Sequence, residues 1–337
     1  MSGIVRGIRQ AGGVAVSETM HRVHVAVVDA CGALIASSGE ASWLTPLRSC
    51  AKPFQALALF TSGAVDRWHI TDQELALACS SHEAEPLQVE IVSAWLARLG
   101  LSEADLQCGE HAPLSPTSAR YPRPLHNNCS GKHTGMLAAA LTLGAPPRDY
   151  LRLPGPVQQL CRVALAACAG LEPAAIPFAV DGCSAPTAVL TLQQLARAAA
   201  SLAVPDAVPA HSDALRRIAA VMMVHADLVG GTHVLDTLLM RSIRGLVAKR
   251  GADGVYLLAV DHSRFGPVGV ALKVEDGSND ARGAAVLALL DVLELLVPAA
   301  RTALSARIRP ARKNHRGLVI GHYEVDLQLA THTPSDR

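Results

Sequence analysis

Aromatic and charged residues are scarce in this chain. Only 3% of its 337 residues are Phe, Trp or Tyr, and only 18% are charged, with a formal net charge of +1. Binding of nucleic acid usually needs a basic stripe or aromatic side chains on which bases stack, and the sequence offers neither. The composition therefore argues against nucleic acid as a partner, whereas 50% hydrophobic residues suffice for a large core.

The sequence also lacks a long apolar segment. Residues 1–7 are too polar and too broken for the core of a signal peptide. The most apolar stretch, residues 284–297, contains Asp291 and Glu294 and is shorter than the ~20 residues that span a bilayer, so we predict an amphipathic helix. The eight cysteines show no regular framework, as expected for thiols or metal ligands in a reducing compartment. We expect a cytoplasmic protein without membrane contact.

Lysine is scarce among the basic residues. Only five of the 30 are lysine, at positions 52, 132, 249, 273 and 313. An ammonium group can lose its proton when it is buried or placed near positive charge, and can then act as a base, whereas a guanidinium cannot. Because Lys52, Lys132 and Lys249 each fall within a motif, we expect these lysines to carry chemistry.

Apolar patterning predicts strands at both ends of the chain and helices between them. Strands are predicted at residues 23–28, 33–36, 255–260 and 268–274. Helices are predicted at residues 49–60, 87–99, 131–143, 160–167, 190–202 and 213–223. The predicted fold is α+β, with an antiparallel sheet built from both chain ends and flanked by helices. We expect a single catalytic unit over residues 1–337, with the sheet from about 1–45 and 240–330 and a mostly helical part from about 46–239.

Ser49 and Lys52 form the first candidate catalytic pair. Residues three apart on a helix lie on one face, so the amine can reach the serine hydroxyl. Pro53 suits the first turn of that helix, where backbone N–H groups lack partners. The spacing is common, however, and an N-cap serine with a solvated lysine is the alternative interpretation.

Two further segments could complete a serine–lysine site. Ser80 and Ser81 form a turn before a helix, and either can supply a second hydroxyl, although such serines often only cap the helix. Lys249 lies two residues before Gly251. In chain order, Ser-x-x-Lys, a serine and Lys-x-Gly match the penicillin-recognising serine enzymes. In that arrangement the first serine attacks a carbonyl carbon while the lysines and the second serine move protons.

A third candidate site contains thiols. Residues 126–133 read His-Asn-Asn-Cys-Ser-Gly-Lys-His, and Cys183 follows Asp181-Gly182. Two thiols with Lys132 or a histidine as third ligand could bind a borderline metal ion, and Cys108 and His111 are a competing source of ligands. Because no Cys-x-x-Cys pattern is present, buried free cysteines are the alternative.

Together these motifs resemble the rhizobial-type (class 3, asparaginase II) L-asparaginases. The resemblance runs from the first predicted hairpin to residue 277 and is most specific in residues 126–133. It implies the fold of serine β-lactamases and glutaminases, a homodimer, and hydrolysis of L-asparagine to L-aspartate and ammonia.

The resemblance also implies roles for ten residues. The catalytic residues would be Ser49 with Lys52, and Ser81 with Lys249. The ligands of one zinc ion would be Cys129, Lys132 and Cys183, with the lysine neutral. The substrate-binding residues would be Arg48, Asn127 and Asp181, since an arginine can pair with the substrate carboxylate and an aspartate with its α-ammonium group.

One departure from the family leaves two alternatives open. Arg250 follows Lys249 where the family usually has threonine, which adds a bulky permanent charge beside that lysine. The chain could therefore be a non-catalytic zinc- or amino-acid-binding homologue. It could also be a glutaminase or a β-lactam-directed serine amidohydrolase, although such an enzyme has no need of residues 126–133. Release of ammonia from asparagine separates an enzyme from a silent homologue.

Overall fold

Residues 1–115, 121–308 and 310–332 are described by a computed structural model of the chain. They divide into two units by contact. Unit 1 comprises Met1–Thr45, Thr191–Ala203 and the chain from Leu238 onward, and unit 2 comprises Pro46–Leu190 and Val204–Thr237. The sheet predicted from both chain ends lies in unit 1. This unit also contains one helix from the middle of the chain, within Thr191–Ala203. The single catalytic unit stays a prediction.

The described residues form twelve β-strands and fourteen α-helices. The strands are β1 (Gly3–Ala11), β2 (Val14–Asp29), β3 (Leu34–Ser38), β4 (Leu44–Pro46), β5 (Phe178–Val180), β6 (Pro186–Thr191), β7 (Val247–Arg250), β8 (Val255–His262), β9 (Gly266–Val274), β10 (Ala311–Lys313), β11 (Val319–Asp326) and β12 (Ala330–Thr331). The helices are α1 (Lys52–Gln55), α2 (Leu57–Thr61), α3 (Ala64–Arg67), α4 (Asp72–Ala78), α5 (Pro86–Arg98), α6 (Ser130–Thr142), α7 (Pro156–Ala169), α8 (Leu192–Ala203), α9 (Ser212–Val224), α10 (Ala226–Val229), α11 (Leu235–Ser242), α12 (Asn279–Val292), α13 (Pro298–Ala303) and α14 (Ser305–Ile308).

Unit 1 is built on an antiparallel sheet in which both chain ends take part. The strand order is β10-β11-β1-β2-β9-β8-β7, and β3 pairs with both β2 and β12. Along one edge of β2, β1 pairs as far as Val23 and β3 pairs with Val25–Val28, while β9 runs along the other edge. The predicted α+β fold with an antiparallel sheet is confirmed.

Helix α8 packs directly on this sheet, against β2, β8 and β9. Its apolar residues at helical spacing, among them Leu192, Leu195 and Ala199, are buried. Gly269 of β9 permits the close approach, because a Cβ atom there would lie 2.0 Å from the carbonyl oxygen of Ala196. Any side chain at position 269 would therefore force α8 away from the sheet.

Unit 2 is mostly helical, and the contact between α4 and α6 positions the candidate site. Helix α4 begins with a capping box in which Thr71 Oγ1 accepts from the Glu74 N–H (3.2 Å) and the Glu74 carboxylate accepts from the Thr71 N–H (2.9 Å). At the start of α6, a Cβ atom on Gly131 would lie 2.4 Å from the carbonyl oxygen of Leu77. The end of α4 therefore lies against the first turn of α6.

Most predicted elements are confirmed, with two corrections at helices. The segment predicted as one helix at 49–60 is a 3₁₀ turn at Arg48–Ala51 followed by α1 and α2. The helix predicted at 284–297 is α12, which starts earlier because Ser278 Oγ caps it by accepting from the Ala281 N–H (3.2 Å), and ends before Glu294, whose φ is 56°. Among the described residues, no helix is long and apolar enough to cross a membrane.

Candidate active site

Ser49 follows a residue with a strained backbone. It lies in the 3₁₀ turn before α1, and Arg48 has a φ of 51°, a left-handed conformation that costs a non-glycine residue roughly 1–3 kcal/mol. The Arg48 N–H donates to Thr187 Oγ1 (3.2 Å), and Arg48 Nε lies 2.7 Å from Asp181 Oδ1. These contacts hold the strained conformation, and they place Ser49 next to an ion pair.

Asp181 is fixed by a tight turn that ends at β6. Its backbone N–H donates to the Ala185 carbonyl (2.9 Å), and its own carbonyl accepts from the Ser184 N–H (2.9 Å). Ser184 has a φ of 67°, which turns the chain sharply after Cys183. Asp181 and Cys183 are therefore held by the same turn.

Lys52 is fully buried at the start of α1, and its amine faces three oxygen atoms. Nζ donates to the Ser80 carbonyl, to Ser81 Oγ (3.1 Å) and to the Asn128 carbonyl (3.2 Å). Ser49 precedes Lys52 by one helical turn and is half-buried. Lys52 thus connects the serine turn after α4 with the segment before α6.

The adjacent serines 80 and 81 have different partners. Ser80 Oγ donates to the Leu77 carbonyl at the end of α4 (2.7 Å), whereas Ser81 Oγ accepts from Lys52. The Ser81 N–H donates to the Val229 carbonyl (2.8 Å) and so fixes the backbone of the turn. The hydrogen bonding favours Ser81 over Ser80 as the second hydroxyl of the site.

His82 links the serine turn to α6, and no sequence motif predicted this connection. Its Nδ1 accepts from the Ala84 N–H (3.1 Å), so Nε2 carries the proton and donates to Ser130 Oγ (2.8 Å). The Ser130 hydroxyl donates onward to the Leu125 carbonyl (3.0 Å). Burial, with a smaller effect of the charge on Lys52, lowers the pKa of His82 to about 3. The ring is therefore neutral at physiological pH.

Stability in acid should depend on His82. The unfolded chain protonates this ring near pH 6.5, whereas the folded chain keeps it neutral down to about pH 3. Because the unfolded state binds more protons below pH 6.5, the stabilisation is present above that pH and is lost as the pH falls towards 3. Between pH 7 and pH 4, we expect the wild type to lose roughly 3 kcal/mol more free energy of unfolding than His82→Gln. Urea titrations measure this difference, and equal losses in the two proteins would contradict a buried neutral ring.

The Asn127 side chain holds the segment before α6 through hydrogen bonds to the backbone. Its Oδ1 accepts from the Cys129 N–H (2.9 Å), and its Nδ2 donates to the carbonyls of Cys108 (2.8 Å) and Gly109 (3.2 Å). The side chain is buried. Asn127 therefore positions Cys129, while its role in substrate binding stays a prediction.

Cys129, Lys132 and Cys183 meet in one buried cluster. Lys132 Nζ donates to Cys183 Sγ (3.0 Å). A hydrogen bond from Cys183, with the charges of Lys52 and Lys132, holds the pKa of Cys129 well below its ordinary value in spite of burial, and the same bond raises the pKa of Cys183. Burial alone would lower the pKa of Lys132, but the two sulfur atoms raise it overall. These directions favour the thiolate at Cys129 over the thiolate at Cys183.

A metal site at this cluster would require the lysine. Across the ranges that the structure describes, no group of three or more His, Cys, Asp or Glu side chains is arranged to hold a metal ion. Cys108, the competing ligand, donates to the Pro124 carbonyl (3.5 Å), and burial raises the pKa of its thiol to about 12. A thiolate is therefore favoured at Cys129 and disfavoured at Cys108.

Lys249 is the one predicted site residue that lies in unit 1; the other nine lie in unit 2. It is fully buried in β7, where it pairs with Leu257 of β8. Its Nζ donates to the backbone carbonyl of Arg250 (3.0 Å). Its role as the partner of Ser81 stays a prediction.

A half-buried serine, a buried lysine and an adjacent ion pair are groups that a serine amidohydrolase site would need. The family model described as L-asparaginase II matches residues 12–325. The chain belongs to the L-asparaginase II family, and the predicted family is confirmed. Membership supports the predicted amidohydrolase class.

Solved structures of glutaminases are distantly similar. The structure of Mglu in its native form in 4.3 M NaCl shares 16% identity over 85% of this chain and 61% of that chain, with a TM-score of 0.45. A Bacillus glutaminase in 4.3 M NaCl shares 13% identity over 81% and 91%, with a TM-score of 0.47. A probable glutaminase from Bacillus subtilis complexed with 6-diazo-5-oxo-L-norleucine shares 15% identity over 81% and 84%, with a TM-score of 0.38. The chain thus spans less than two thirds of the length of Mglu, and no curated protein matches it.

Proposed function

We propose that the chain is an L-asparaginase that hydrolyses L-asparagine to L-aspartate and ammonia with Ser49 as nucleophile. The observation that carries the proposal is the buried Lys52 amine, which lies one helical turn after Ser49 and 3.1 Å from Ser81 Oγ. A lysine and a second hydroxyl beside a serine can activate it and move its proton. Family membership supports an amide as substrate.

Arg48 and Asp181 would recognise the charged groups of the amino acid. The guanidinium can bind the α-carboxylate through two hydrogen bonds, and the carboxylate can accept from the α-ammonium group. Their side chains are 27% and 10% exposed, so the ion pair is partly shielded from water. The zwitterionic amino acid supplies a carboxylate for Arg48 and an ammonium group for Asp181. A β-lactam that carries only a carboxylate would supply no cation for Asp181. This pairing favours an amino-acid amide over a β-lactam.

The reaction would proceed through an ester on Ser49. Ser49 Oγ attacks the side-chain carbonyl carbon of asparagine, and its proton passes to Lys52, whose ammonium must first give up one of its three donated protons to act as a base. The Lys52–Ser81 pair then protonates the leaving nitrogen, the C–N bond breaks, and ammonia departs. Water attacks the aspartyl ester and gives a proton to the same pair. The pair returns a proton to Ser49 Oγ as the C–O bond to Ser49 breaks and aspartate is released. Lys249 is proposed as the second lysine on the family resemblance alone.

We also propose that Cys129, Lys132 and Cys183 bind one zinc ion. The three side chains are buried, Lys132 donates to Cys183, and the lowered pKa of Cys129 favours the thiolate form that binds zinc. Because the sulfur atoms raise the pKa of Lys132, a bound ion would have to displace its proton. Zinc would supply a fixed positive charge that holds Cys129 and Cys183 together, and Ser49 remains the nucleophile.

Metal content should depend on Cys183 and not on a cysteine elsewhere. We expect about one zinc per chain in protein purified without chelator and at least about a tenfold lower occupancy in Cys183→Ser under matched free zinc. Cys161→Ser is the matched control, because Cys161 is also buried but donates to the Gln55 carbonyl (3.7 Å). Elemental analysis by mass spectrometry measures the occupancy. Equal zinc in all three proteins would refute the ligand assignment.

A homodimer and a cytoplasmic location complete the proposal. Three apolar residues of β2 are largely exposed, namely Val14 (61%), Val16 (47%) and Met20 (62%), as is common for residues covered by a partner. Light scattering that gives a monomer mass at micromolar concentration would contradict the dimer. A chromosomally tagged protein recovered outside the cytoplasmic fraction would contradict the location.

Release of ammonia from L-asparagine tests the proposed activity. The wild type should release ammonia and aspartate in equal amounts, faster from asparagine than from glutamine, and Asp181→Asn should raise KM by removing the partner of the α-ammonium group. Absence of ammonia release from a folded, zinc-loaded preparation would contradict the proposal.

A further inference from the structure

The acceptors of the Lys52 amine come from two separate segments of unit 2. Ser80 and Ser81 supply a carbonyl and a hydroxyl from the turn after α4, and Asn128 supplies a carbonyl from the segment before α6. The position of the amine therefore depends on how these two segments are held relative to each other.

His82 holds both segments with one ring. It follows Ser81 directly, and its Nδ1 accepts from the Ala84 N–H within the serine turn. Its Nε2 donates to Ser130, which lies two residues after Asn128 at the start of α6. Ala84 has a φ of 60°, so this hydrogen bond also stabilises a backbone conformation that is unfavourable for alanine. Each ring nitrogen thus secures one segment.

We infer that His82 is a positioning residue for turnover: through its bond to Ser130 it sets the spacing between Ser81 and Asn128, and so the position of the Lys52 amine. The ring is fully buried, and its neutral form is suited to this task, because it donates one hydrogen bond and accepts another in fixed directions. The inference rests on the proposed function in one respect, since it assigns the effect of this spacing to amide hydrolysis.

Two substitutions separate the two hydrogen bonds. In His82→Gln the side-chain amide can reach the position of the histidine Nε2 atom and donate to Ser130. In His82→Asn the side chain is shorter, so it can accept from the Ala84 N–H but cannot reach Ser130. We expect His82→Asn to lower kcat roughly 10²-fold with KM within about threefold of the wild type, and His82→Gln to stay within about fivefold in both. Ser130→Ala should lower kcat by about as much as His82→Asn. The double variant with His82→Asn and Ser130→Ala should have a kcat no lower than either single variant.

A structural readout decides the inference independently of activity. In crystals, Lys52 Nζ should stay within hydrogen-bond distance of Ser81 Oγ in His82→Gln and should lie beyond ~3.5 Å in His82→Asn and Ser130→Ala. An unchanged distance in Ser130→Ala, or equal kcat for the Asn and Gln variants, would overturn the positioning role. If the wild type fails to hydrolyse asparagine, the proposed function falls, while the distances still confirm or refute the role of His82. Ser130→Ala supplies the result if His82→Asn does not fold.

Discussion

Replacing Ser49 by alanine is expected to lower kcat for asparagine by roughly 10⁴-fold or more, because no ester can form without Oγ. The fold should survive. Ser49 is half-buried, and the N-cap positions of the 3₁₀ turn and of α1 are Leu47 and Ala51. The loss of its hydroxyl should therefore cost no more than about 1 kcal/mol. Ammonia release measures kcat, and urea titration measures the free energy of unfolding.

Ser80→Ala is the matched control for Ser49→Ala. Ser80 is a buried serine of the same unit whose hydroxyl donates to the Leu77 carbonyl, and Ser81 instead accepts from Lys52. We expect Ser80→Ala to lose stability but to keep turnover within about tenfold of the wild type. If Ser49→Ala retained more than about 1% of wild-type kcat, Ser49 would be excluded as the nucleophile.

Lys52→Arg should be nearly as damaging, with kcat lowered by roughly 10³-fold or more. A guanidinium keeps the positive charge but cannot accept a proton. It is also larger than the ammonium group, which is fully buried among Ser80, Ser81 and Asn128. Turnover measured on protein that urea titration shows to be folded separates the loss of the base from unfolding.

Two further variants test whether the loss of turnover in Lys52→Arg comes from the loss of the base. Lys313→Arg makes the same change at an exposed lysine and should leave kcat unaltered. Lys52→Met removes the amine with little change of volume and should match the loss seen in Lys52→Arg. Near-normal turnover in either Lys52 variant would show that this lysine is not the base.

The fold was predictable where the information is local. Helix α6, predicted at 131–143 and found at Ser130–Thr142, has a continuous apolar pattern that needs no partner to be recognised. Strand β1 was missed because its sequence mixes Arg and Gly with apolar residues, and it is defined by pairing with β11, with Ile4 opposite Asp326. Such pairing joins residues from opposite ends of the chain, which local patterning cannot show.

In the candidate site, too, contacts between residues close in the sequence were predictable and contacts between distant residues were not. Ser49 and Lys52 could be paired from the sequence because one helical turn separates them. The partners that Lys52 finds in the structure, Ser81 and Asn128, lie 29 and 76 residues further along the chain. The bond from His82 to Ser130 spans 48 residues. Proximity of this kind is created by the packing of α4 on α6, which the sequence motifs do not specify.

During turnover, Ser49 should carry the aspartyl group as an ester. Wild-type protein mixed with L-asparagine and quenched in acid during the first turnovers can be digested and mapped by peptide mass spectrometry. We expect an aspartyl ester on the peptide that contains Ser49, and none in Ser49→Ala treated in the same way. An aspartyl group on Ser81 or Cys129, with Ser49 unmodified in the wild type, would contradict the role of Ser49 as nucleophile.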